Sequence, residues 1–104
     1  MAICTVVIRF RLADEESIKE AQAALAELVD CVRAREPEML TYVAYQENRD
    51  PLRFYQYMEF LDEHGFERHA TSAHLRHFIA TVKPLCSEEP DCVRLTELRR
   101  AEPA

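Results

Sequence analysis

RFYQYMEFLDEHGFERHATSAHLRHFIATVKP, residues 53–84, carries the clearest structural signals in the chain. Its first third alternates: Phe54, Met58 and Phe60 fall on one face, and Arg53, Tyr55, Tyr57 and Glu59 on the other. Period two in an aromatic run predicts a strand over 52–61. Asp62 is then placed to cap a short helix ending near Ala70, with the chain's single glycine, Gly65, inside it. Thr71 or Ser72 caps a second helix, in which Leu75, Phe78, Ile79 and Val82 recur at i, i+3, i+4 and i+7, one buried stripe. Pro84 stops it.

Upstream, residues 48–51 (Asn-Arg-Asp-Pro) are turn chemistry, so the 52–61 strand pairs as a hairpin with a strand over 39–48. In that strand Leu40, Tyr42 and Ala44 are expected on one face and Thr41, Val43 and Tyr45 on the other. Residues 2–12 alternate too, with Cys4, Val6, Ile8, Phe10 and Leu12 on the apolar side. Asp14 is placed to cap a helix whose stripe is Ile18, Ala21, Leu25, Leu28, Val29 and Val32, ended by Pro37. A short last strand is expected over 92–98, with Val93 and Leu95 opposite Cys92 and Arg94. Residues 1–98 form one domain, and 99–104 a flexible tail.

The order β-α-β-β-α-β, with its second helix broken, predicts an α+β, ferredoxin-like antiparallel sheet carrying its helices on one face. The opposite face then presents Val7, Val43, Tyr45, Tyr55 and Tyr57, too apolar for open water. Pairing two such faces across a two-fold axis buries them, so a homodimer through the sheet faces, a dimeric α+β barrel, is expected. Glu59 is expected to pair with Arg9 or Arg53, within or between subunits.

The 104 residues carry a formal net charge of −6, and no run of like charges exceeds three residues, which argues against nucleic acid as a partner. The apolar run near the N-terminus is short and lacks a basic flank, so neither a signal peptide nor a membrane span is expected, and the expected location is cytoplasmic. Cys4 and Cys31 sit in apolar patterns as small hydrophobes. Cys86 and Cys92 flank an acidic turn, but a disulfide is not expected between them.

Residues 36–78, EPEMLTYVAYQENRDPLRFYQYMEFLDEHGFERHATSAHLRHF, resemble the antibiotic biosynthesis monooxygenase domain family. The matching parts are Glu36-Pro37 before the second strand, Tyr57-Met58-Glu59-Phe60 closing the third, the helix from Asp62 to His69, and the restart Ser72-Ala73-His74-Leu75. The resemblance spans about residues 2–98 and implies a dimeric α+β barrel. It also implies cofactor-free oxygenation of quinols or polyketide phenols, haem degradation, or processing of a phosphorylated quorum signal. The positions matching the asparagine, tryptophan and iron-binding histidine of haem-degrading members are Ile8, Phe60 and Ile79, which speaks against haem chemistry. The chain has no tryptophan.

Within that frame His74, in the first turn of a helix, is the expected base, because a helix N-terminus favours the neutral imidazole that accepts a phenolic proton. His69 and Tyr42 are expected to orient the substrate. His69 is also placed for a structural role, bonding free groups at a helix end. Tyr42, Phe60, Met58, Phe66 and Phe78 are expected to line a pocket for a small aromatic substrate, although core packing explains most of them equally well. His64 and His77 are expected at the surface. No histidine pair has i, i+4 spacing and no carboxylate clearly joins them, so no metal and no cofactor are expected. Two other functions stay open: a non-catalytic dimeric binding module, and an isomerase of a small phosphorylated carbonyl compound with Arg53, Arg68 or Arg76 holding the anion.

Overall fold

The computed structural model describes residues 3–102. Four strands, β1 (Cys4–Arg11), β2 (Met39–Gln46), β3 (Arg53–Phe60) and β4 (Asp91–Leu95), form one sheet in the order β2-β3-β1-β4. Every neighbouring pair is antiparallel. Three α-helices, α1 (Ile18–Arg35), α2 (Glu63–Ala70) and α3 (Ala73–Val82), complete the chain order β-α-β-β-α-α-β. This is the ferredoxin-like arrangement expected from the alternation and the hairpin.

Inward-facing side chains of β1 and β3 meet the helix stripes in the core. Phe10 stacks on Phe54 with ring centroids 5.0 Å apart, and Phe78 of α3 meets Phe10 edge-on at 6.1 Å. Ala21, Leu25, Leu28 and Val32 of α1 and Val82 of α3 close this cluster. A smaller cluster of Cys4, Val6, Met58 and Phe60 lies toward the other end of the strands, with Phe66 packed against it. Together these contacts fix α2 and α3 over β1 and β3.

Local signals account for most element ends. The Asp62 carboxylate accepts from Gly65 N at 2.9 Å, and the Ser72 hydroxyl accepts from Leu75 N at 3.2 Å, so each half of the broken helix has its own cap. Ser72 Oγ also donates to the His69 carbonyl at 2.8 Å, which ties the end of α2 to the start of α3. Pro84 lies in a 3-10 turn, Lys83–Leu85, that follows α3.

Several expectations are corrected. Asp14 makes no side-chain cap; a 3-10 turn, Glu15–Ser17, precedes α1 instead. Leu40 does not share a face with Tyr42: a bulge between Met39 and Thr41 sets Met39 opposite Phe60 and leaves Leu40 49% exposed. β4 ends at Leu95 rather than residue 98. Glu59 bonds Thr41, Tyr57 and Arg100, while Arg9 pairs with Asp91 and Arg53 with Glu88. Arg100 thereby holds part of the expected tail against the sheet. All four cysteines are free thiols.

Candidate active site at the helix break

Three polar side chains from three elements converge under the break. Glu36 follows the last turn of α1 and precedes Pro37. The proline disfavours helical geometry before it, and Glu36 takes φ −122°, ψ 82°, leaving the helix as it turns toward β2. His69 lies in the last turn of α2 and His74 in the first turn of α3. His69 Nδ1 lies 2.9 Å from Glu36 Oε2 and 3.1 Å from Oε1, and His74 Nε2 lies 2.5 Å from Oε2. Side-chain exposure is 5% for Glu36, 3% for His69 and 11% for His74.

A carboxylate this sheltered is costly unless donors surround it. Burial pushes the Glu36 carboxyl up, but the bonds from His69 and His74 outweigh it and leave the group below the usual glutamate range. The carboxylate is therefore the charged centre, and the two imidazoles are arranged around it.

Aromatic rings hold His69 in place. Phe60 lies 5.4 Å from the imidazole centroid, and Tyr42 meets it edge-on at 6.0 Å. The Tyr42 hydroxyl forms a short hydrogen bond with the amide oxygen of Gln56, a buried polar residue on the inward face of β3. Burial, then the Glu36 charge, push the Tyr42 phenol far above its ordinary range. Tyr42 is thus a fixed donor that aims Gln56, and no base at neutral pH.

Beside this cluster, between α3 and the sheet, lies a cavity of about 250 Å3. Its walls include Ile8, Met58, Leu75 and Phe78, and its polar interior groups are Gln56 and His69. Lys83 and Glu89 stand at its rim, paired at 3.0 Å. An apolar chamber with a few convergent polar groups has the form of a small-molecule site, and its volume lies just under the usual range of about 300–1,000 Å3. A larger groove of about 500 Å3 runs between α1 and β2, but it follows the open edge of the sheet and none of the three converging groups lines it.

Of the residues singled out by sequence, Met58, Phe78 and His69 line the cavity. Tyr42 does not line it, but its hydroxyl bonds Gln56, which does. Phe60 packs behind His69, and Phe66 packs on Phe60 at 5.6 Å under the Arg94 guanidinium, so neither lines the chamber. His74 faces Glu36 and borders a separate groove against α1. His64 and His77 are exposed, as expected. The expectation that no carboxylate joins the histidines is overturned by Glu36. Gln56 is a further polar group at the site that motif and spacing do not single out; a lone amide among inward-facing aromatics is its signal.

Comparison with known proteins agrees with this architecture. The family model for antibiotic biosynthesis monooxygenase matches residues 3–81. The chain belongs to that family. Among solved structures, Rv0793 from Mycobacterium tuberculosis superposes with a TM-score of 0.85 at 18% identity, over 97% of this chain and 100% of that one. PA3566 from Pseudomonas aeruginosa gives 0.84 at 22% identity, over 95% and 97%. A conserved protein from Methanosarcina mazei Go1 gives 0.84 at 19%, over 94% and 95%. These likenesses establish the shared fold. No curated protein matches the chain significantly.

Proposed function

We propose that this family member is a cofactor-independent monooxygenase that oxidises a small phenolic or quinol-like ring held between α3 and the sheet. The observation that carries the reading is the apolar chamber whose inner polar groups are an imidazole, braced by a buried carboxylate, and one amide. His69 Nδ1 is committed to Glu36, which leaves Nε2 for the substrate. His69 accepts the hydroxyl proton, Gln56 orients the ring, and Glu36 steadies the imidazolium that forms. His74, behind Glu36, positions the carboxylate. The base role that the sequence suggested for His74 passes to His69 because His69 reaches the cavity.

The phenolate then supplies the electrons. It passes one to dioxygen, the two radicals combine at a ring carbon bearing hydrogen, and the resulting hydroperoxide loses water to leave a carbonyl. One oxygen atom ends in the product and one in water, and all four electrons come from the substrate. Isomerisation of a phosphorylated compound fits less well. Arg53 and Arg68 are paired with Glu88 and Glu38, and none of Arg53, Arg68 and Arg76 lines the cavity. Lys83 at the rim is already paired with Glu89.

The reading includes a homodimer through the helix-free sheet face. There Val43, Tyr45 and Leu95 are 37%, 54% and 45% exposed, an apolar surface that a second copy would cover. No helix among the described residues is long and apolar enough to cross a membrane.

Oxygen uptake with a panel of phenols and quinols tests the reaction. Turnover with one oxygen consumed per ring is expected, falling by at least about 100-fold in His69→Ala. Equal turnover in that variant, or none with any ring in the wild type, overturns the reading.

A further inference from the structure

The Glu36–His69–His74 cluster has the makings of a second use that is independent of the oxygenation reading. Glu36 Oε2, His69 Nδ1 and His74 Nε2 all lie within 4.8 Å of one another, each contributed by a different element. Among the described residues no lysine or arginine pairs with the Glu36 carboxylate, which meets only the two imidazoles. We propose that these three side chains form a binding site for one borderline divalent transition-metal ion of the zinc or cobalt class.

Donor chemistry selects that class. Two imidazole nitrogens and one carboxylate oxygen suit zinc, cobalt, nickel or ferrous iron, whereas magnesium and calcium call for oxygen ligands throughout. Geometry fits once the two imidazole nitrogens, up to 4.8 Å apart, close toward each other. Adjacent ligands on an ion bound at about 2.0–2.2 Å sit roughly 3 Å apart. The Glu36–His69 separation is already 2.9 Å, and the Glu36–His74 contact of 2.5 Å needs only a modest opening. That opening is available because His74 is the least enclosed of the three, at 11% exposure. Three protein ligands leave at least one coordination position free.

Metal and proton compete for the same nitrogens. With an ion on His69 Nδ1, the neutral ring carries its proton on Nε2, so the cavity faces a donor instead of an acceptor. Filling the site therefore switches off the base. This consequence rests on the proposed reaction; the binding itself does not.

Cobalt(II) titration of chelator-stripped protein, followed by visible absorption and calorimetry, tests the site. The expected result is one equivalent per chain with micromolar affinity, displaced by zinc, together with a rise in the thermal unfolding midpoint. Glu36→Gln and His74→Ala should each weaken binding by at least about tenfold, whereas the exposed His64→Ala and His77→Ala leave it unchanged. Absence of stoichiometric uptake by the folded wild-type protein at millimolar cobalt overturns the proposal. So does uptake that survives both Glu36→Gln and His74→Ala, or that is lost with His64 or His77. In the oxygen-uptake assay, stoichiometric zinc should suppress turnover. Tight metal binding without suppression would uphold the site and sink the base role of His69, so the two readings fail separately.

Discussion

Glu36 is where the candidate site is most exposed to a single substitution. Truncating it leaves two sheltered imidazoles without their acceptor, and a buried polar pair broken on one side is strongly destabilising. Glu36→Ala should lower the unfolding free energy by roughly 3 kcal/mol, read from urea denaturation, with Glu36→Gln losing less because its amide oxygen still accepts one bond. A loss below about 0.5 kcal/mol, the ordinary range for a surface change, would mean the cluster is not formed. A second carboxylate gives a pH test. Thr41, first, then Tyr57 and Arg100, hold Glu59 below the usual glutamate range against the opposing effect of burial. A depressed folded value means stability that is present above the unfolded glutamate value of about 4.3 and lost as pH falls through the folded one. Urea midpoints measured from pH 7 down to pH 3 should therefore fall less steeply in Glu59→Gln than in the wild type. The two histidines could be picked out by sequence because each sits at a signalled helix end. Glu36 could not be joined to them, since it lies 33 and 38 residues away and only tertiary packing, with α1 against α3 part of it, brings the three together.

At the scale of the elements, the broken helix is the device that positions the site. A continuous helix from 63 to 82 would carry His69 and His74 five residues apart on diverging sides, about 140° from one another. The break, capped afresh by Ser72, turns both rings onto one carboxylate. Ser72→Ala should cost about 1 kcal/mol from the lost cap. Because the hydroxyl also donates to the His69 carbonyl, cobalt affinity or oxygen turnover should fall with it. Stability loss with both functions intact would show that the hydroxyl caps α3 without setting the site. Gly65 constrains α2 from the other side. A Cβ there would meet the Glu38 Cβ at 3.0 Å and the Phe60 Cβ at 3.5 Å. In an exposed helix, Gly→Ala gains about 1 kcal/mol; here thermal unfolding should show no gain, because Glu38 leads directly into β2 and has little room to yield. Caps, alternation and proline stops made these elements legible from residues 53–84 alone. The bulge at Leu40 was not, because simple alternation carries no sign of an inserted residue, which shows only in the pairing of β2 with β3.

The whole molecule poses a different question, because its sheet has one clothed face and one bare one. Helices bury Phe10, Phe54, Met58 and Phe60. The other side of the sheet presents Val7, Val43, Tyr45, Tyr55, Tyr57, Val93 and Leu95, three of them substantially exposed. Polar partners occupy only the hydroxyl tips: Tyr55 donates to Glu47 and Tyr57 to Glu59. Their ring faces remain a flat apolar surface in the middle of the sheet, flanked by the Arg9–Asp91 and Arg53–Glu88 pairs. A stable interface needs on the order of 1,000 Å2 in all with an apolar centre and a charged rim, and this face has that pattern. Sedimentation should accordingly give a particle of twice the 12.1 kDa chain mass at micromolar concentration. Val43→Arg combined with Tyr45→Glu places two charges in the proposed contact and should shift the particle to monomer. Neither residue touches Glu36, His69 or His74, so cobalt binding by the monomer should persist if the metal site is complete within one chain. A wild-type monomer at that concentration, or a double variant that sediments as a dimer, would remove the sheet face as the interface and leave the bare tyrosines without an explanation.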